Sequence, residues 1–234
     1  MKTARVLAAA LLMALSLGGS GRGVASEQAE QLARNALALE GKSERGAQLF
    51  RSQCASCHGR AARGDAARLV PALAGQRRAY LIKQLADFAE SERVATQMHS
   101  VVVRSAVADP HAWADVALYL NSLPPMAGSR ARIARLLTLG EASYRQWCAS
   151  CHEEDARGDD DGFVPSLRNQ HYEYLLQEMR AMSAGHRFNM DPEIARSLSA
   201  LQPDELTALA HYLSRLRGPV RDRGRLQDDG TVSD

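Results

Sequence analysis

Apolar residues recur at three- and four-residue spacing in four stretches of this chain: Tyr80 to Phe88, Trp113 to Leu123, Tyr174 to Met182 and Leu206 to Leu216. That period predicts four amphipathic helices. Two of their starts are marked in advance. Asp109 with Pro110, and Gln202 with Pro203 followed by Asp204 and Glu205, put proline in a first turn and acids at the positive end of a helix dipole. No stretch alternates β-branched and polar residues over the length of a strand, so the expected class is all-α.

The pattern also repeats. With an offset of 94 residues, Gly46 falls on Gly140, Phe50 on Tyr144, Gly64 on Gly158, Asp65 on Asp159, Pro71 on Pro165, Gln76 on Gln170, Tyr80 on Tyr174 and Arg93 on Arg187. No gap is needed over that stretch. The chain therefore reads as an internal duplication with three to five helices per repeat. The expected division is a leader over 1–26, a first domain over 40–123, a linker over 124–136 marked by the proline- and arginine-containing stretch LPPMAGSRARIAR at 123–135, a second domain over 137–217, and a tail over 218–234.

The leader follows from Lys2 and Arg5 ahead of the apolar run Val6 to Leu17 and the small residues GVAS at 23–26. This is the layout of a cleaved secretory signal, and the run is shorter than the roughly 20 residues a membrane span needs. Cleavage after Ala25 or Ser26 would remove Lys2, Arg5 and Arg22 from the 29 basic residues while leaving all 27 acidic ones. The mature chain would be slightly acidic, which gives a nucleic-acid partner no electrostatic support. Aromatic residues make up only 5% of the chain. Two small domains built mostly of alanine and leucine have thin cores, which a bulky apolar cofactor would help to fill.

The chemistry sits in one pentapeptide. All four cysteines belong to two copies of CASCH, at Cys54, Cys57 and His58 and at Cys148, Cys151 and His152. In an oxidising compartment CxxC can be a disulfide, a thioredoxin-type pair, half of a zinc site or, with histidine directly after it, a covalent haem attachment. A redox pair needs a βαβ pattern that is missing, and a four-cysteine zinc site leaves both histidines unexplained. On a helix, residues i, i+3 and i+4 share a face, so two thiols could bond the macrocycle while the imidazole meets the iron. Two covalently bound haem c groups are the expectation.

Each iron then has a sixth position. Methionine there raises the potential and suits electron transfer, whereas an open site invites reactants. The first repeat has one methionine before the linker, Met98, and its counterpart after a two-residue length change is Met190. These are the candidate metal ligands opposite His58 and His152. Met179 and Met182 fall on Leu85 and Phe88 and read as core residues. His99 and His186 are the rival ligands, while His111, His171 and His211 read as helix or surface residues without a role.

With these residues in place, each repeat resembles a class I cytochrome c domain: a helix ending in CASCH, a Pro-x-Leu turn at Pro71 to Leu73 or Pro165 to Leu167, a Tyr-Leu helix, a loop carrying methionine and a closing helix. Two such domains in tandem behind a signal peptide resemble the cytochrome c4 family of dihaem electron carriers, over about residues 40–217. The resemblance implies that the carbonyls of Pro71 and Pro165 orient His58 and His152, and that the two haems lie close together at the interdomain face. It further implies a periplasmic location and redox proteins as donor and acceptor, a membrane terminal oxidase among them, with no substrate turned over. A haem subunit docked on a flavin-dependent sulfide dehydrogenase or an alcohol dehydrogenase is the alternative. A dihaem peroxidase or thiosulfate dehydrogenase would need a differently ligated iron. The stretch 27–41 and the tail have no counterpart in the repeats.

One feature breaks the duplication. Residues 59–80 carry five arginines and one aspartate, whereas 153–174 carry two arginines and seven acids. The charges are read either as two solvated faces or as two docking lobes of opposite sign, the basic one favouring the higher potential at the first haem.

Overall fold

The computed structural model describes residues 21–127, 133–187 and 189–216. The apolar run of the expected leader, the tail at 218–234 and residues 128–132 of the linker lie outside the described residues. Among the described residues every regular element is helical. Extended backbone pairs only at two isolated antiparallel bridges, Asp65 with Val70 and Asp159 with Val164.

The first half runs α1 (Gly21–Leu37), α2 (Ser43–Leu49), a π-helical turn (Phe50–Cys54), α3 (Ala55–His58), α4 (Arg78–Ala89), α5 (Thr96–Arg104) and α6 (Pro110–Ser122). The second runs α7 (Ala134–Trp147), α8 (Ala149–His152), α9 (Tyr172–Ser183), α10 (Pro192–Ala200) and α11 (Pro203–Leu213). The four periodic stretches are α4, α6, α9 and α11. At the start of α6 the Asp109 carboxylate accepts the amide of His111 at 3.0 Å, and at the start of α11 Glu205 reaches back to accept the amide of Gln202 at 2.8 Å. The short helices α5 and α10 have too few turns for a clear period, although Asp191 and Pro192 open α10 with the same cap chemistry.

In each half the helix that leads into the pentapeptide, α2 or α7, crosses the last helix, α6 or α11, at a glycine. A Cβ on Gly46 would stand 2.0 Å from the carbonyl oxygen of Asp115, and one on Gly140 would stand 2.2 Å from that of Ala208. Only a residue without a side chain lets the two backbones touch. Beside each crossing an aromatic pair locks the helices: Phe50 with Tyr119, and Tyr144 with Tyr212, both with ring centroids 5.8 Å apart. The first core adds Ile82, Phe88, Val102, Trp113 and Leu120, and the second is built on Leu175, Met179, Leu198, Leu209 and Leu213. Met179 is a core residue as expected, and Met182 packs on the same cluster.

Helix α1 was not expected from periodicity. Its stripe of Ala29, Ala33 and Ala36 is fully buried against the first domain, where small side chains allow close approach to α4 and α6. Arg78 anchors its end by donating to the carbonyls of Leu37 and Leu39 at 3.2 and 2.9 Å. From the second domain, Phe163 reaches into the first core beneath the Arg34 guanidinium, 4.9 Å from its ring centre.

The halves face each other through paired counterparts. The side chain of Gln76 donates to the carbonyl of Ser166 and accepts its amide, at 2.9 and 2.8 Å. Gln170 does the same to Ala72, at 3.0 and 2.9 Å. An amide matches a peptide unit donor to acceptor, so each glutamine satisfies a loop that has no secondary structure of its own. Replacing Gln76 with alanine leaves both groups of Ser166 unpaired and should destabilise the protein by about 1–3 kcal/mol. The Gln76→Ala/Gln170→Ala variant should separate denaturant unfolding of the haem-loaded protein into two transitions.

Candidate functional site

The two pentapeptides are presented by helices that end abruptly at the histidine. In the first, the amide of Ala55 bonds to the carbonyl of Phe50, a one-residue widening that brings the chain into Cys54. Gly59 then leaves the helix at a φ of 74°. In the second, α7 stops at Trp147, α8 carries the motif, and Glu153 takes the same step at a φ of 69°. A left-handed backbone is uncommon for a residue with a side chain. The hydroxyl of Tyr144 holds this one by donating to the Glu153 carbonyl at 2.5 Å.

From there each chain closes a loop back onto its histidine. The carbonyl of His58 accepts the amide of Gly64 at 2.9 Å, the Asp65–Val70 bridge narrows the loop, and the carbonyl of Pro71 arrives 3.1 Å from Nδ1 of His58. In the second half Gly158 donates to the His152 carbonyl at 3.0 Å, and the carbonyl of Pro165 stands 3.2 Å from Nδ1 of His152. A carbonyl can only accept, so Nδ1 carries the proton and Nε2 keeps a free lone pair. Burial lowers the pKa of both imidazoles, opposed in part by the proline bond, and both stay neutral at pH 7.

All four cysteines are unpaired. Burial, then the neighbouring Cys57, pushes the Cys54 thiol up to about 11, and burial, then Cys151, pushes the Cys148 thiol up to about 12. Two thiols three residues apart and a neutral imidazole with its Nε2 free are the donor set that covalent haem requires, and the site fits that group.

The expected distal residues are placed differently in the two halves. Met98 lies in the first turn of α5 rather than in a loop, because that helix begins at Thr96. It packs half-buried against the first core, which Cys54 also borders, and the adjacent Gln97 brings Nε2 to 3.7 Å from Cys57 Sγ. Met190 lies half-buried in the bend before α10. His99 presents Nδ1 to the carbonyl of Phe88 at 2.7 Å, and His186 is exposed. Two histidines read as having no role do have structural ones. Nε2 of His171 donates across the interface to the Arg63 carbonyl at 2.7 Å, and the buried His211 accepts the amide of Ile133 at 3.3 Å.

The unequal charges of the two motif loops partly meet each other. Arg77 of the basic segment pairs with Asp160 of the acidic one at 3.1 Å, and Asp160 also accepts the amide of Ala79 at 3.2 Å. In the acidic loop Asp155 pairs with Arg168 at 2.9 Å. A second polar cluster lies deeper. Arg93 donates to the Tyr174 hydroxyl at 2.7 Å and to Glu178 at 3.1 Å, while Arg187 donates to the Tyr80 hydroxyl and to Gln84, both at 3.2 Å. Burial pulls the Arg93 guanidinium down, but Tyr174, Tyr80 and Glu178 outweigh it and hold it above its ordinary range. These pairs were visible as duplicated polar residues. A polar side chain retained in both copies signals a shared partner, even when its partner cannot be named.

The protein-family model for cytochrome c matches the chain twice, at residues 43–124 and 137–217. The chain is 30% identical over 179 residues to cytochrome c4 of Azotobacter vinelandii, covering 70% of this chain and 84% of that protein. It is 32% identical over 202 residues to the thiosulfate dehydrogenase electron acceptor of Stutzerimonas stutzeri, covering 79% of this chain and 90% of that one. Among solved structures, reduced recombinant cytochrome c4 from Pseudomonas stutzeri superposes with a TM-score of 0.67 at 26% identity, over 76% of this chain and all of that one.

Each motif is expected to load independently. The Cys54→Ala/Cys57→Ala variant should bind one covalent haem per chain in place of two, and pyridine haemochrome absorbance per mole of protein should fall by half.

Proposed function

Because the chain belongs to the cytochrome c family, as a tandem dihaem member of the cytochrome c4 kind with two covalently bound haem c groups, we propose that it carries single electrons in the periplasm. The proposed route runs from a respiratory donor to a redox acceptor such as a membrane terminal oxidase. Each haem supplies a reversible ferric–ferrous couple when bound. The chain's own residues do the rest.

Cys54 and Cys57, and Cys148 and Cys151, hold the two groups through thioether bonds. His58 and His152 bind the irons through Nε2, and the carbonyls of Pro71 and Pro165 hold each ring in one orientation and make it a stronger donor. Met98 and Met190 would supply a thioether to each iron. Thioether ligation would favour the reduced iron and leave no coordination position for a reactant, which suits a protein that moves electrons without turning over a substrate. The observation that carries this reading is the duplicated imidazole-to-proline bond, in a chain whose two repeats each carry a matching methionine.

Export rests on the leader at 1–26. Among the described residues no helix is long and apolar enough to cross a membrane. The likeness to an electron acceptor of thiosulfate dehydrogenase favours a second reading, in which the chain docks on a periplasmic dehydrogenase and takes electrons from it. Purification from the native host distinguishes the two, since a stable subunit arrives with a large catalytic chain and a free carrier arrives alone.

Ligation is tested by substitution. Met98→Leu and Met190→Leu should each remove half of the weak sulfur-to-iron absorption band of the oxidised protein and lower the potential of one haem. A full-strength band in either variant would reject that methionine as a ligand.

A further inference from the structure

The loop that orients His152 is gripped from the other domain. Arg77 precedes α4 in the first domain, yet its guanidinium makes three bonds to the second motif loop. Nε donates to the carbonyl of Arg157 at 2.8 Å, Nη2 to the carbonyl of Gly158 at 2.8 Å, and Nη1 to the carboxylate of Asp160 at 3.1 Å. The middle contact matters most, because Gly158 touches both ends of the imidazole's support. Its amide donates to the His152 carbonyl at 3.0 Å. Its α-carbon is pressed against the Pro165 carbonyl so closely that a Cβ would stand 2.4 Å from that oxygen. That oxygen is the acceptor for Nδ1 of His152.

The duplication supplies an internal control. The counterpart of Arg77 is His171, and the counterpart of Arg157 is Arg63. His171 makes the equivalent bond to the Arg63 carbonyl at 2.7 Å, but one imidazole nitrogen replaces a three-donor fork. The carbonyl of Gly64 and the side chain of Asp65 receive nothing from it. Phe163, two residues before Pro165, adds to the imbalance by seating in the first core.

We propose that Arg77 is a positioning residue for the second haem: it fixes Gly158 and, through it, the Pro165 carbonyl that orients His152. The first domain thereby sets the ligand geometry of the second centre, with only a weaker influence in return. This rests on His152 being the iron ligand.

Arg77→Lys tests it, because lysine keeps the charge and loses the fork. Native-state hydrogen exchange in the reduced, haem-loaded protein should show the Gly158 amide exchanging roughly ten-fold faster and the Gly64 amide unchanged. A looser Pro165 carbonyl makes His152 a poorer donor, so a haem-resolved redox titration should show the second potential rising and the first unmoved. Unchanged exchange at Gly158 overturns the proposal, as does faster exchange with an unshifted second potential. Both potentials moving together would assign Arg77 to domain docking and overturn it as well. His152→Gln separates the premise: if the coordination spectrum of the second haem survives that change, the ligand reading fails and takes the proposal with it, whatever the exchange at Gly158.

Discussion

A single hydrogen bond type governs each half of this protein, the one from a histidine ring to a proline carbonyl. An imidazole on the last turn of a helix is free to rotate and to choose its tautomer, and both freedoms have to be removed before one nitrogen can serve a metal. The carbonyl removes both, because it accepts from Nδ1 at 3.1 Å in one half and 3.2 Å in the other. The left-handed exit after the motif, the glycine that bonds back to the histidine carbonyl and the isolated bridge all bring that oxygen to its place.

The interface extends the same logic. The loops that deliver the prolines are closed by turn and bridge hydrogen bonds of their own, and the glutamines of the opposite half satisfy the peptide groups of Ala72 and Ser166 that those bonds leave open. The arrangement follows an approximate twofold, since Gln76 meets Ser166 as Gln170 meets Ala72, and Arg93 meets Tyr174 as Arg187 meets Tyr80. Departures from it are where the halves acquire different characters. Gln84 stands opposite Glu178, Arg77 opposite His171 and Leu69 opposite Phe163. The first exchange places one carboxylate between two half-buried guanidiniums. The last leaves Leu69 exposed while Phe163 is buried.

Much of the fold was legible because its signals are local. A period of 3.6 marks α4, α6, α9 and α11, proline after a capping residue marks the starts of α6 and α11, and a fixed offset reveals the second copy. What escaped is non-local or small-sided. The buried face of α1 is a stripe of alanines, which scarcely registers as hydrophobic, and no repeat partner drew attention to it. Helix α5 begins early enough to take in Met98 because its neighbours, not its own nine residues, define it. At the site, the pentapeptides and their duplication could be read directly. The role of Arg77 could not, since it depends on which loop of a distant segment comes to rest beside it. The charge imbalance between the motif loops was equally plain, but its use in an internal Arg77–Asp160 pair requires the two segments to face each other.

Phe163 is supplied to the first core from the far side of the linker. A chain synthesised from its N-terminus therefore presents its leading half without an aromatic side chain that only later residues supply. Maturation of the two halves cannot be fully sequential. The leading half reaches its final packing only when the trailing half has arrived.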